Sequence, residues 1–372
     1  MIILHPSRLA AVIAAAVLWA VLSAILGGCT PLAPQPGVEQ TELYFPAPPD
    51  TARFVFERTV QRGTDLASSD EGGLRRAFTG ETGADIALAK PFDVTVCRGT
   101  VYISDTVSRS VVVFDTTKPR VFEIGRDEPG MLRKPLGLAT DDECNLYVAD
   151  GTTRTVLIYD RDGQFVKALG GQTWFERLSH VSVDPGGTRI YAVDTGGVGS
   201  EAHWIRVFDI QTNEHLYDIG ARGSEAGQFN LPRDITMGPD GSLYVVDGGN
   251  FRVQVFNPDG EFVREIGSLG RLYGQFARPK GVAVDMDGNV YVSDSAHGNF
   301  QIFDAQGELL LFVGSRSETL DRAVYMLPAG IDVDEDGRVY MVDQYFRKLD
   351  IFRPASLEED AGYLGEWAKL EQ

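Results

Sequence analysis

The strongest constraint in this chain is a repeated element, Tyr-x-x-Asp, that occurs six times. It ends at Asp105, Asp150, Asp194, Asp247, Asp294 and Asp343. Its Tyr residues, Tyr102, Tyr147, Tyr191, Tyr244, Tyr291 and Tyr340, are 45, 44, 53, 47 and 49 residues apart. After each copy comes an apolar strand ending Phe-Asp or similar, as at Phe114-Asp115, Phe208-Asp209 and Phe303-Asp304. Before each lies a short strand, usually opened by Pro and clearest in Pro279-Lys-Gly-Val-Ala-Val-Asp285. In the first five copies a fourth strand ends in Gly, at Gly125, Gly170, Gly220, Gly267 and Gly314. Period-two alternation, with turn signals such as Asp240-Gly241 and Asp287-Gly288, fits four antiparallel strands per copy. One such unit cannot bury both faces of its sheet. Six stacked around an axis can, so the pattern predicts an all-β, six-bladed β-propeller.

A ring must close, and the sixth copy lacks a fourth strand. Its strands fall at 330–334, 338–343 and 348–352, and the chain then runs into Arg353-Pro354 and an acidic tail, 354–372. An orphan strand, Arg53-Phe-Val-Phe-Glu-Arg-Thr-Val60, lies upstream of the first copy. It is expected to complete the last blade and remove the open sheet edge. The propeller therefore spans 53–353.

The segment before it reads as an address. Arg8 precedes an almost unbroken apolar run over 9–26, and Leu26-Gly27-Gly28-Cys29 follows. This arrangement resembles a bacterial lipoprotein signal, 1–28, with cleavage before Cys29 and lipid on its thiol. A Pro-rich tether, 29–52, follows with Pro31, Pro34 and Pro36. Several acyl chains on one Cys anchor a protein stably. Thr30, rather than Asp, implies by the same resemblance the outer membrane; it does not set the side, for which the periplasm is the expectation. The alternative is an uncleaved membrane anchor, since roughly eighteen apolar residues nearly span a bilayer.

The segment Gly274-Gln-Phe-Ala-Arg-Pro-Lys-Gly-Val-Ala-Val-Asp-Met-Asp-Gly-Asn-Val-Tyr-Val-Ser-Asp294 resembles the NHL repeat family almost position by position. Gly227-Gln-Phe-Asn-Leu-Pro232 and the strand after it are similar, departing at Asp234 where the family pattern has Gly. The likeness covers roughly 53–353 and is weakest in repeat three. It implies the propeller fold and says little of function, because scaffolds, RNA-binding propellers and metal-dependent lyases and lactonases share this architecture. The whole chain also resembles a group of bacterial lipoproteins with this domain alone.

A formal net charge of −19, with no run of Lys and Arg, opposes nucleic-acid binding. Cys97 and Cys144 fall at corresponding turns of neighbouring repeats. An exported compartment permits a disulfide there, although the required Cα separation is narrow and two free thiols are the default expectation.

The six Asp residues invite reading as a carboxylate ring. Arg109, Arg154 and Arg347 each follow one of them by four residues, and Arg252 follows Asp247 by five. Blade-internal ion pairs are thus the structural expectation. More telling are the starts of the inner strands, which line a propeller's channel. The equivalent positions are Asp93, Gly137, His180, Asp234, Gly281 and Gly330, so three repeats break a Gly rule. Breaks in a repeat rule mark places to look for function. Just before them, Arg233 and Lys280 add positive charge. Asp93, His180, Arg233, Asp234 and Lys280 are therefore the candidate ligand-binding set at the channel mouth. Asp and neutral His can also ligate a divalent metal. A long insertion in repeat three, ending His203-Trp204, is a candidate partner loop if its Trp and His are exposed.

Beyond the signal the histidines are His180, His203, His215 and His297, too few at inner-strand positions for a histidine-rich metal centre. No catalytic residue and no cofactor is assigned. The expected function is a lipid-anchored envelope scaffold that binds a protein partner, with a small-molecule ligand also open. The alternative is a metal-dependent lyase or lactonase centred on Asp93, His180 and Asp234.

Overall fold

The computed structural model describes residues 42–66, 86–116 and 120–364. Cys29, the signal and the first part of the tether lie outside them. Six antiparallel sheets follow in chain order and form an all-β six-bladed propeller. The inner strands are Pro91–Cys97, Pro135–Thr140, Leu178–Val183, Pro232–Met237, Pro279–Val284 and Pro328–Val333. Pro opens five of the six, at a strand end where its missing N–H costs the ladder nothing. No helix among the described residues is long and apolar enough to cross a membrane.

Blade 6 closes as expected. Its third strand, Lys348–Pro354, pairs antiparallel with Phe54–Val60, in a register running from Phe54 opposite Pro354 to Val60 opposite Leu349. Tyr44–Phe45, inside the segment expected to be tether, adds a fifth strand. Its Phe45 ring packs 5.7 Å from Phe352. Two buried charged networks fasten this seam. Arg338 Nε lies 2.9 Å from Glu57 Oε2, with both side chains almost wholly buried. Lys348 Nζ meets Asp350 Oδ2 at 2.6 Å, and Thr59 donates its hydroxyl to Asp350 Oδ1 at 2.6 Å.

Blade interfaces carry the core. The glycines that end the fourth strands have positive φ, 82° at Gly220 and 76° at Gly267. A side chain there would collide with Phe229 or Phe276, rings fully buried between blades. Gly thus serves twice, for its backbone and for the space above it. Each buried ring contributes about 1.5–3 kcal/mol.

The expected Asp–Arg pairs form only in part. Asp247 does meet Arg252, Oδ2 to Nε at 3.0 Å. Asp105, Asp150 and Asp343 instead accept four backbone N–H groups each. Asp105 Oδ2 accepts from Ala89 and Lys90, and Oδ1 from Val107 and Ser108, all at 2.6–3.0 Å. Arg133, Lys134, Thr152 and Thr153 supply the same pattern to Asp150. Met326, Leu327, Tyr345 and Phe346 supply it to Asp343. Each carboxylate ties its own turn to the loop arriving from the previous blade. Arg109, Arg154 and Arg347 are turn residues at φ 58°, 59° and 55°. A carboxylate buried this deeply is satisfied more cheaply by local N–H groups than by a long cation that would also need burying.

Cys97 and Cys144 form a disulfide, S–S 2.02 Å and Cα–Cα 5.7 Å, joining the first turns of blades 1 and 2. Strand alternation sorts the loops onto two faces. Links from second to third strands, and from each blade to the next, emerge on the upper face, where inner strands begin. The remaining turns emerge on the lower face.

Candidate functional site

The inner strands enclose a channel whose lower part is a cavity of about 210 Å³. Val94, Leu138, Ile235, Val282 and Ile331 line its wall, with Asp93, Asp234 and Asp332 among them. The Gly rule at its upper end is steric. A Cβ on Gly137 would lie 2.5 Å from the His180 Cα, and one on Gly281 would lie 2.7 Å from the Ala329 carbonyl oxygen. Two of the residues that break the rule use the space that a neighbouring glycine leaves: His180 beside Gly137, and Asp93 beside Gly330.

Asp93 and Asp234 are both buried, and each reaches into the next blade. Asp93 Oδ2 accepts the N–H of Leu138 at 2.8 Å, the residue after Gly137. Asp234 Oδ2 accepts the N–H of Val282 at 2.8 Å, the residue after Gly281. Asp332, in blade 6, accepts the N–H of Val96 in blade 1 at 2.8 Å. Inner strands have a free backbone edge, and these carboxyls cap it across blade boundaries. The sequence reading missed Asp332. The signal was available one period further along the strand, where the other repeats have Thr95, Ala139, Ser182, Thr236 and Ala283.

Burial dominates the electrostatics. It raises the Asp93 carboxyl well above its ordinary range, and repulsion from Asp234 adds to the rise. Burial also pushes Asp234 up to about 7, against the pull of the Val282 and Ile235 N–H groups. Asp332 is pushed up to about 7 for the same reason, opposed by the Val96 and Val333 N–H groups. Three carboxyls near one axis favour sharing protons over full ionisation. His180 is held down to about 3 by burial, then by Arg233 and Lys280, so it is neutral. Its Nε2 stands 3.9 Å from Asp234 Oδ1, while its buried Nδ1 has no hydrogen-bond partner.

Phe92, in blade 1, reaches past Gly137 of blade 2 to meet the His180 ring of blade 3, centroids 5.5 Å apart. The mouth is thus asymmetric: aromatic over blades 1 to 3, cationic over blades 4 and 5. Arg233 and Lys280 are half-buried there. Burial lowers the Lys280 ammonium to about 8, helped by the positive charges of Arg233 and Arg278. Arg233 is lowered by burial, then by Arg177 and Arg278.

The partner loop departs from expectation. His203 is fully buried. Its Nε2 sits 3.0 Å from the Gly197 carbonyl, and its Nδ1 accepts the Leu231 N–H at 3.3 Å. Trp204 packs under the Arg206 guanidinium, 4.7 Å from ring centre. Both hold the base of the loop. Its exposed tip is Val198, 82% exposed.

A metal requires converging donors, and the described residues contain no group of three or more His, Cys, Asp or Glu placed to hold one. The channel carboxyls spend their oxygens on backbone N–H groups, and His180 is the mouth's one histidine. This donor set does not fit a catalytic metal.

The family profile described as NHL repeat matches residues 229–256 and 276–303, within blades 4 and 5. Over 219 residues the chain is 33% identical to peptidyl-glycine alpha-amidating monooxygenase B of Xenopus laevis. That match spans 55% of this chain and only 24% of the amidating protein. A Bacteroides thetaiotaomicron protein of unknown function superposes with a TM-score of 0.57 at 19% identity, over 73% of this chain and 71% of its own. A gluconolactonase of Xanthomonas campestris superposes at 0.54 with 16% identity, over 80% of this chain and 98% of its own. The structural likenesses establish the architecture. Repeats, sheets and neighbours agree that this chain is a six-bladed β-propeller carrying NHL repeats.

Proposed function

We propose that this chain is a non-catalytic binding module of the bacterial envelope, held at the outer membrane by lipid on Cys29, with the upper face of the propeller turned to a protein partner. The observation that carries this reading is the commitment of the channel carboxyls. Asp93, Asp234 and Asp332 each hold a neighbouring blade, so they serve a rigid platform rather than a reaction centre. The upper face presents exposed apolar side chains on separate loops, among them Val107, Val198, Leu327 and Tyr345. Rigid scaffolds with such loops suit recognition, and tethering raises the effective concentration of the module near envelope partners.

Photo-crosslinking in cells tests this. A photoreactive residue at Val198 or Tyr345 is expected to give discrete adducts, and one at Met286 or Asp287 on the lower face is not. Adducts from the lower face alone would contradict the assignment.

A second reading, a metal-dependent lyase or lactonase, is favoured by the amidating and gluconolactonase neighbours and by the unsatisfied His180 Nδ1. It requires metal donors beyond His180, and the described residues bring no set of three together.

A further inference from the structure

Four cations surround the blade 4 and 5 side of the mouth in a chain of net charge −19. Arg233 and Lys280 are the second residues of adjacent inner strands, and Arg177 and Arg278 precede the inner strands of blades 3 and 5. After burial, the positive charges of Arg177 and Arg278 lower Arg233, and those of Arg233 and Arg278 lower Lys280. Among the described residues none of the four has an ion-pair partner. Elsewhere arginines of this protein do find partners: Arg206 with Asp218, Arg252 with Glu265, Arg338 with Glu57.

The placement is built. Gly248 leaves the turn of blade 4 without a side chain, and a Cβ there would lie 2.6 Å from Arg233 Cγ. The Arg233 stem is therefore laid across that turn, with its Nε 3.1 Å from the same position. Lys280 stands one blade on, half-buried. Opposite them lie the Phe92 ring and His180, whose buried Nδ1 lacks a partner. Arg233 and Lys280, half-buried beside exposed Arg177 and Arg278 and without a counter-charge, cost free energy to hold together. An anion that bridges them recovers that cost, and a guanidinium is suited to hold a carboxylate or phosphate through two parallel hydrogen bonds.

We propose that Arg233 and Lys280, flanked by Arg177 and Arg278, bind the carboxylate or phosphate group of a small ligand whose flat apolar part rests on Phe92 and His180. This deepens the reading of the upper face as the binding face and adds a ligand class to it. Nucleic acid is disfavoured as the source of the anion by the charge of the rest of the molecule.

The test uses the full-length chain in detergent and four probes with the same ring: benzoate, phenyl phosphate, neutral benzamide and cationic benzamidine. Ligand-observed NMR is expected to show saturation transfer to benzoate or phenyl phosphate, but not to benzamide or benzamidine. The stronger anion tells carboxylate from phosphate. R233A/K280A is expected to weaken anion binding at least ten-fold, and a milder variant, K280Q, to weaken it less. Unchanged thermal unfolding of K280Q separates loss of the site from loss of the fold. Equal transfer to benzamide, or undiminished anion binding in R233A/K280A, would overturn the proposal. Cross-linking from Val198 and Tyr345 is read independently, so a protein-binding face without an anion site, and the reverse, are distinguishable.

Discussion

Asp234 Oδ2 accepts the Val282 N–H at 2.8 Å, and by this one bond the channel wall of blade 4 is joined to that of blade 5. Asp93 repeats the arrangement between blades 1 and 2, and Asp332 between blades 6 and 1. The same carboxyls are buried, and that sets the first prediction.

Asp332 is raised from an ordinary carboxylate to about 7 on folding. The folded state therefore binds the proton more tightly than the unfolded state. Its contribution is fully present below the unfolded pKa, near 4, and is lost as pH rises through about 7. Asp332→Asn is expected to flatten stability against pH between pH 4 and 7, by an amount on the order of a few kcal/mol. His180 acts oppositely, since its lowered pKa gives stability above the unfolded value that is lost as pH falls from 6.5 towards 3. Urea unfolding at stepped pH, on wild type, D332N and H180Q, separates the two. An unchanged slope in D332N would remove the buried carboxyl from the account.

Cys97→Ser opens a crosslink between residues 47 apart in sequence. Loop-closure entropy puts the loss at about 3–4 kcal/mol, with the propeller still folded. Denaturant unfolding with and without reductant measures it: reductant should lower wild type to the level of C97S and leave C97S unmoved.

The seam of blade 6 depends on a charge pair sealed from water. Removing one partner strands the other, so Glu57→Ala is expected to cost about 3–5 kcal/mol. Hydrogen exchange should rise first over 54–60, where the closing strand meets Lys348–Pro354. Uniform exchange across all six blades would argue that the strand is no clasp.

Cys29→Ser should release the protein from the membrane fraction and abolish incorporation of labelled palmitate. Retention of the variant in the membrane would favour the uncleaved anchor.

The fold was legible because a propeller repeats its instructions six times. Tyr-x-x-Asp, the Pro-opened inner strand and the Gly-ended outer strand recur at the spacing of a blade, and the unpaired strand before Val60 had one place to go. The mouth was legible in part. Asp93, His180 and Asp234 stood out by breaking a Gly rule, yet nothing in their order told that the aspartates bond backbone of the next blade. Asp332 obeyed the Gly rule at Gly330 and broke a quieter one two residues on. The Asp–Arg spacing misled because sequence distance does not show the loop arriving from the previous blade, whose N–H groups outcompete the guanidinium. His203 misled for a similar reason: an insertion rich in Gly reads as exposed, while its last residues turn inward to hold it.

The central claim is that the channel mouth binds and does not catalyse through a metal. Metal content of the purified full-length protein, measured by mass spectrometry on wild type and His180→Ala, tests it most directly. The account expects well under one-tenth of an equivalent of any divalent metal in both. One equivalent in wild type that disappears in H180A would contradict it.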